Sequence, residues 1–346
     1  MNENDRNPIR TEPRPVCLVC GTEGRYLYQD LPDRLFGSDG LWSFRRCNGR
    51  DCGLLWLDPA PADDQLFKLY ASYYTHQINR NESLGKRIYR RAIGSYLGDR
   101  FGYPRQAPTG WLDYVLGHLI VLHPGSRAEA EARVMGLRFR PGGRLLEVGF
   151  GNAQTLLRMQ QAGWDVQGLE FDEVAVRNAL ALGLNVRQGS LTSAAFPSES
   201  FDAVVSSHVI EHLPNPVGFL EECHRILRPG GTIVAYTPNT SSVGHRVFGK
   251  HWRDLDPPRH LFLFNKRTLA GIANRAGFRT TSCVGTARGG NTLVVSLAMA
   301  MRRNPSAVAG RASVRVMAEL ASYISWFALK LDSGAGEEIV IVATKD

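Results

Sequence analysis

Hydrophobic and polar positions are most regularly patterned between residues 144 and 172, where the chain reads RLLEVGFGNAQTLLRMQQAGWDVQGLEFD. Leu145, Leu146 and Val148 make a short apolar run that halts at Gly149-Phe150-Gly151. Apolar residues then recur at helical spacing (Leu156, Leu157, Met159) as far as Gly163, which suits a helix stop. A second strand, Asp165 to Leu169, ends on Glu170. The pattern predicts a β-α-β unit with glycines at the first turn and an acid at the end of its second strand. Such a unit places a nucleoside over the strand ends, with the acid positioned to accept hydrogen bonds from ribose hydroxyls.

The same periodicities continue downstream. They predict a helix over 174–182, a strand over 185–187 that leaves at Gly189, a strand from Phe201 to Ser207, a helix over 216–227, a turn at Arg228-Pro-Gly-Gly231 and a strand from Thr232 to Tyr236. A helix beginning near Ala128 (AEAEARVMGLRF) precedes the unit, and residues 291–335 read as a pair of amphipathic helices. Upstream, Leu54 to Leu57 reads as a strand, Pro59-Ala-Pro61 as a boundary, and Asp63 to Tyr74 as a helix opening on acids with aromatics on one face. Between 80 and 140, Lys86, Arg87, Arg90 and Arg91 interleave with Leu84, Ile88 and Ile93, and Trp111 to Leu122 is mostly apolar. This stretch suits a helical insert packed on the domain that follows, because an apolar run of about a dozen residues is typical of a buried helix. The other reading is a peripheral contact with an anionic membrane surface.

A chain of 346 residues accommodates one α/β domain of ordinary size and an appendage of roughly 100 residues. The expected units are a disordered tail over 1–15, a small cysteine-bearing module over 16–60, a helical linker or insert over 61–127 and the α/β domain over 128–346. With 43% hydrophobic and 21% charged residues the composition is that of a globular protein, and no apolar run of about 18 residues is present. The polar, proline-punctuated start has no apolar signal region, so the expected location is cytoplasmic. A formal charge of +8 allows an anionic partner without choosing among nucleic acid, a phosphorylated carrier and the inner face of a membrane.

Two close cysteine pairs, Cys17-Leu-Val-Cys20 and Cys47-Asn-Gly-Arg-Asp-Cys52, lie near glycines and are separated by enough chain for two or three strands. They match a four-cysteine zinc ribbon, in which four thiolates close a tetrahedron and the metal is structural. Cys223 and Cys283 stand alone and read as small core hydrophobes.

The third position of a G-x-G-x-x-G fingerprint is occupied by Gln154, which weakens a pyrophosphate-binding reading, and Glu147 lies shortly before Gly149. With L-E-V-G-x-G, F-D-x-V-x-x-x-x-x-I-E-H-L and L-R-P-G-G in order, roughly residues 130–285 resemble class I S-adenosylmethionine (SAM)-dependent methyltransferases. The resemblance implies an α/β fold: a Rossmann-like, seven-stranded, doubly wound sheet. Phe278 to Val284 would be its sixth strand and Glu338 to Ala343 an antiparallel last strand. It implies cofactor contacts from Glu147, Gly149, Gly151, Glu170, Phe171, Ser190, Leu191 and Ser207, with serine at 190 where many relatives carry an acid. The ribbon, the loop HWRDLDPPRHLFLF and the last strand look like a bacterial subgroup associated with glycan, lipid and secondary-metabolite modification.

Methyl transfer needs an acceptor nucleophile in line with the sulfonium and usually a base for its proton. The titratable candidates are His208, Glu211, His212 and His260, with His208 or His260 expected as the base. The segment His208 to His212 also spells H-x-x-E-H, and it is similar to the acidic cluster that binds a divalent cation in ubiquinone-biosynthesis O-methyltransferases. A histidine in place of one carboxylate makes it a poor Mg(II) site. The loop carrying His245, His251, Trp252, Arg253, Asp254, Asp256, Arg259 and His260 is expected to line the acceptor site and to suit a sugar. The expected function is therefore SAM-dependent O-methylation of a sugar, a polysaccharide or lipid-linked glycan, or a related small metabolite. Alternatives are RNA methylation, disfavoured because there is neither an N/D-P-P-Y signature nor a basic stripe on the ribbon, and a SAM-binding protein without activity.

Overall fold

The computed structural model describes residues 9–70, 84–104, 110–303 and 312–346. Its centre is a seven-stranded sheet built from β6 (Arg144–Val148), β7 (Asp165–Glu170), β8 (Val186–Gln188), β9 (Phe201–Ser207), β10 (Leu227–Pro238), β12 (Arg279–Thr286) and β13 (Glu338–Thr344). Their spatial order is β12-β13-β10-β9-β6-β7-β8. The strands from β8 through β10 pair in parallel, and β13 inserts antiparallel between β10 and β12. The expected doubly wound sheet and reversed last strand are both present.

Adjacent residues of the central strands face opposite ways, as strand geometry demands. Leu145, Val205 and Val234 join a core with α4 (Gln154–Ala162) and α5 (Glu173–Leu180), while Leu146, Val204 and Ile233 join a second core with α6 (Pro216–Ile226) and α8 (Lys266–Arg275). Continuous apolar runs such as Leu145-Leu146 are what a sheet covered on both faces requires. Cys223 and Cys283 are both buried. Gly163 ends α4 with φ of +104°, where a residue with a side chain would be strained.

The N-terminal module is a sheet of β2 (Gly24–Pro32), β3 (Leu41–Cys47) and β4 (Leu55–Leu57). Its outer strand is completed by β11 (Phe262–Leu263), which comes from the far end of the chain and pairs antiparallel with β4. Trp42, Phe44, Leu55 and Trp56 merge with the core on the α6/α8 side. The ribbon is therefore welded to the larger domain through backbone hydrogen bonds as well as packing.

Several expectations change. Of the tail expected to be disordered, residues 9–15 are ordered: β1 (Thr11–Glu12) pairs with β5 (Ala60–Pro61), and Trp56 Nε1 donates to the carbonyl of Arg14 at 2.7 Å. Residues 1–8 lie outside the described residues, as do 71–74 of the helix expected over 63–74, of which Asp63–Tyr70 is a 3-10 helix. The helix expected from Ala128 is α3 (Pro124–Ala132), which starts a turn earlier because His123 caps it with proline in the first position, Nδ1 accepting from Ser126 N at 3.1 Å. The basic segment is α1 (Leu84–Phe101) and the apolar one α2 (Trp111–Ile120). They cross at Gly117, where a Cβ would meet the Ala92 carbonyl oxygen at 2.0 Å. Against the expectation of a buried helix, Trp111, Leu112, Leu119 and Leu122 are exposed.

Candidate functional site

The turn after β6 is shaped by its glycines. Gly149 has φ of +72°, and a Cβ there would lie 2.4 Å from Val209 Cγ2, so any side chain would collide with the segment that follows β9. Gly151 has φ of +49° and donates its N–H to Glu170 Oε2 at 2.9 Å. The other oxygen of Glu170 accepts from Phe171 N at 2.7 Å and Asp172 N at 3.3 Å. The carboxylate thus bridges the ends of β6 and β7. Phe171 leaves its ring 69% exposed beside it, an apolar plate of the kind that covers a base.

Glu147 is 4% exposed on β6, and its Oε2 makes no hydrogen bond. Burial pushes its pKa up to about 8, against the pull of the nearby Arg158 guanidinium. Ser190 is turned toward Ser193, donating its hydroxyl to Ser193 Oγ at 2.9 Å and accepting from Ser193 N at 3.0 Å. The Leu191 side chain belongs to the core, so that position offers a ligand only its backbone. Ser207 ends β9 at the same edge of the sheet.

Beyond β9 the chain turns sharply at His208, whose φ is +56°. Its Nδ1 lies 3.2 Å from Glu211 Oε1 and its Nε2 2.9 Å from Glu338 Oε1. Thr237 donates to Glu211 Oε2 at 3.0 Å, and Arg288 lies 3.3 Å from Glu338 Oε2. Burial disfavours a charged ring at His208, but the hydrogen bonds and charges of the two carboxylates outweigh it and raise the pKa to about 10. Burial likewise works against ionised Glu211 and Glu338. The hydrogen bond and charge of His208 hold Glu211 down to about 2, and the Arg288 charge together with the His208 bond does the same for Glu338. His208 is accordingly an imidazolium at neutral pH. Each ring nitrogen faces a carboxylate oxygen, so a doubly protonated ring satisfies both contacts and leaves no free lone pair.

His212 and His260 sit edge to face with ring centroids 4.7 Å apart. Their Nδ1 atoms lie 3.0 Å from the Arg259 carbonyl and 2.7 Å from the Asp254 carbonyl. A carbonyl only accepts, so each Nδ1 carries the proton and each Nε2 is the basic nitrogen. Burial, with the neighbouring His260 adding to it, lowers the pKa of His212 to about 4. One ligating atom from each of Glu211, His212 and His260 falls within 4.8 Å of the others. Two imidazoles oriented by backbone carbonyls and one carboxylate form a donor set suited to a transition-metal cation.

The loop expected to line an open acceptor site is largely buried: Trp252, Asp254, Asp256, Arg259 and His260 are all in the interior. Arg259 donates from its two terminal nitrogens to the two oxygens of Asp33 at 2.8 Å each, and from Nε to Asp256 at 3.1 Å. His245 lies between Tyr28 Oη at 3.0 Å and the Thr240 carbonyl at 2.7 Å. His251 Nδ1 lies 2.8 Å from Arg34, and Arg253 pairs with Asp254 at 2.8 Å. Of the loop's charges, Arg259 meets a counter-charge from the ribbon at Asp33, while Arg253 with Asp254 and Arg259 with Asp256 pair within the loop. Of that loop, His260 alone joins the Glu211–His212 cluster, brought there by Leu261 N donating to the Glu211 carbonyl at 2.8 Å.

In the ribbon, one ligating atom from each of Cys17, Cys20, Cys47 and Cys52 falls within 4.8 Å of the others, and none of these cysteines is in a disulfide. The sulfurs of Cys17 and Cys52 are 3.6 Å apart and those of Cys20 and Cys47 3.3 Å. Zn–S bonds of about 2.3 Å in a tetrahedron separate sulfurs by about 3.8 Å. The cluster is close to that size.

Residues 126–282 match the family model described as a methyltransferase domain. This stretch is a class I SAM-dependent methyltransferase domain. A probable SAM-dependent methyltransferase of Mycolicibacterium smegmatis is 33% identical over 157 residues, covering 44% of this chain and 59% of that one. A ubiquinone biosynthesis O-methyltransferase of Cereibacter sphaeroides is 32% identical over 122 residues, covering 32% and 48%. The chain thus spans about half the length of the curated relatives it matches. Among solved structures, Haemonchus contortus phosphoethanolamine N-methyltransferase 2 has a TM-score of 0.47 at 18% identity, covering 84% of this chain and 62% of that one.

Sequence reasoning missed three residues of the polar cluster around His208: Thr237, Arg288 and Glu338. One signal was available for the last of these, an acid opening the otherwise apolar strand EIVIVAT.

Proposed function

We propose that the protein transfers the methyl group of SAM to a hydroxyl of a sugar, of a polysaccharide or lipid-linked glycan, or of a related small metabolite. The observation that carries this reading is the contact of Gly149 with Val209, which sets the cofactor turn directly against the His208–His212 segment. SAM supplies an electrophilic methyl on a sulfonium. Glu170, braced by three backbone amides, accepts from the ribose hydroxyls, and Phe171 covers the base. The unpaired Oε2 of Glu147 and the space kept clear by the absent Cβ of Gly149 fit a ligand bearing an ammonium group. His260 takes the proton of the acceptor hydroxyl at Nε2. His208, as an imidazolium between two carboxylates, orients Glu211 and Glu338 and does not exchange a proton near neutrality.

A second reading of the same residues is favoured by the closeness of Glu211, His212 and His260. They would hold a divalent cation of the Zn(II), Mn(II) or Fe(II) type, which polarises a hydroxyl. The name of the ubiquinone O-methyltransferase relative supports an oxygen acceptor. In the ribbon, the four thiolates would hold Zn(II) in a closed structural site.

Calorimetry with S-adenosylhomocysteine is the first test. Binding should weaken about tenfold or more in Glu170→Ala, the scale of a lost charge-assisted hydrogen bond. Mass spectrometry of cell glycans and small metabolites with and without the protein should then differ by one methyl group. Absence of binding, or binding unaffected by Glu170→Ala, would sink the proposal, and a methyl mark found on RNA alone would replace the acceptor. Metal analysis of His260→Ala separates the two readings: only a ligand's loss removes a bound cation.

A further inference from the structure

The helix α10 (Ala312–Leu331) is inverted relative to an ordinary surface helix. Ala321, Ser322 and Ser325 are turned inward, while Val316, Leu320, Tyr323, Phe327 and Leu331 recur at helical spacing along its outer side. Leu320 and Phe327 are each 63% exposed. The helix α2 is built the same way: Gly117 faces α1, and Trp111, Leu119 and Leu122 face outward, Trp111 at 75% and Leu122 at 76%.

The two stripes adjoin. His123, next to Leu122, lies 3.4 Å from Glu319 and 3.3 Å from Ser322, with its ring edge-on to Tyr323 at 4.6 Å. Among the described residues nothing covers this surface. Monomeric proteins rarely leave an apolar patch of this extent open without a use for it.

Its borders are basic. The helix α1, packed against α2, exposes Arg87 and Arg90, with Arg91 paired to Asp113 of α2 at 2.6 Å, and α9 (Gly290–Ala300), packed against α10, runs out into Met301, Arg302 and Arg303, all exposed. We infer that α2 and α10 together form a face that lies on an anionic lipid bilayer, with the apolar stripes in the interfacial region and the arginines among the headgroups. No helix among the described residues is long and apolar enough to cross a membrane, so the contact is peripheral. A second copy of the chain suits the surface less well. Two-fold pairing would bring the same arginine-rich borders toward each other, and like charges at an interface are repelled.

The test is flotation of the full chain with vesicles of mixed phosphatidylglycerol and phosphatidylcholine, against vesicles of phosphatidylcholine alone. The unaltered protein should float with the anionic vesicles and release as salt rises. Leu320→Glu with Phe327→Glu should abolish flotation while leaving circular dichroism unchanged, since both side chains point away from the core. Arg87→Glu with Arg302→Glu should reduce anionic binding by about fivefold or more for each position, the effect of about 1 kcal/mol per basic residue near a charged surface. Failure of the unaltered protein to float with either vesicle would overturn the inference without reference to any variant. So would a dimer in light scattering that the Leu320→Glu and Phe327→Glu pair dissociates, which would assign the face to a second copy. Neither result depends on methyl transfer.

Discussion

Replacing Arg259 by alanine probes the joint between the ribbon and the methyltransferase domain. Its guanidinium has no exposed area, Asp33 has 1%, and Asp256 closes the other side; the Phe36 ring stacks 4.3 Å away. Asp33 also accepts from the backbone amides of Leu35, Phe36 and Ser38. Those bonds and the Arg259 charge overcome burial and hold its carboxyl well below the usual range. Arg259→Ala strands two carboxylates without their cation, and breaking a buried pair in this way costs about 3–5 kcal/mol. At roughly 2–4 °C per kcal/mol for a large domain, thermal unfolding should begin about 10 °C lower. Lysine should not rescue it, because a point charge cannot fork onto Asp33 while also reaching Asp256.

The double variant Asp33→Asn with Arg259→Met leaves one stranded carboxylate, Asp256, in place of two and should lie nearer the parent than Arg259→Ala does. The pH dependence follows from the depressed pKa of Asp33. Its contribution is complete above the unfolded carboxylate value of about 3.9 and is lost as pH falls through the lower folded value. Scanning calorimetry on the four proteins measures all of this. A midpoint for Arg259→Ala within about 2 °C of the parent, or full rescue by lysine, would refute the assignment of Arg259 as the clamp.

Two further outcomes are expected. Metal analysis should find about one zinc per chain, lost in Cys47→Ser; because the ribbon also supplies Asp33, metal removal should lower the melting midpoint by about 10 °C, and a chelator without effect would count against a structural zinc. His208 has its pKa raised to about 10 by Glu211 and Glu338, so its contribution to stability is complete below about 6.5 and disappears as pH rises through about 10. Urea unfolding across that range should show an alkaline decline that His208→Gln flattens; an identical decline in both proteins would contradict the imidazolium assignment.

Local chemistry was readable without a fold. The strands and helices from 144 to 286, the stop at Gly163, the glycine turn, Glu170 at the end of its strand and the paired cysteines all rest on residues within a few positions of one another. Periodicity, a positive-φ glycine and a two-thiolate turn are short-range features, and one stretch of chain is enough to specify them. The motif His208-x-x-Glu211-His212 was equally visible, but the protonation state of its first member was not. That state depends on Glu338, which lies 130 positions away and arrives only because β13 inserts beside β10.

The loop around Arg259 shows the same limit. A run of acids, bases and aromatics in a loop suggests an open polar site, yet Arg259 and Asp33, 226 positions apart, neutralise each other in the interior. The apolar spacing of α2 predicted a helix correctly and its burial incorrectly, because periodicity specifies which residues share a face and carries no information about what lies opposite it. Secondary structure and the cofactor turn were settled by neighbours along the chain. Charge state, burial and the meeting of His260 with Glu211 and His212 were settled by the order of strands in the sheet, since buried charges take their energies from whatever partners the fold delivers.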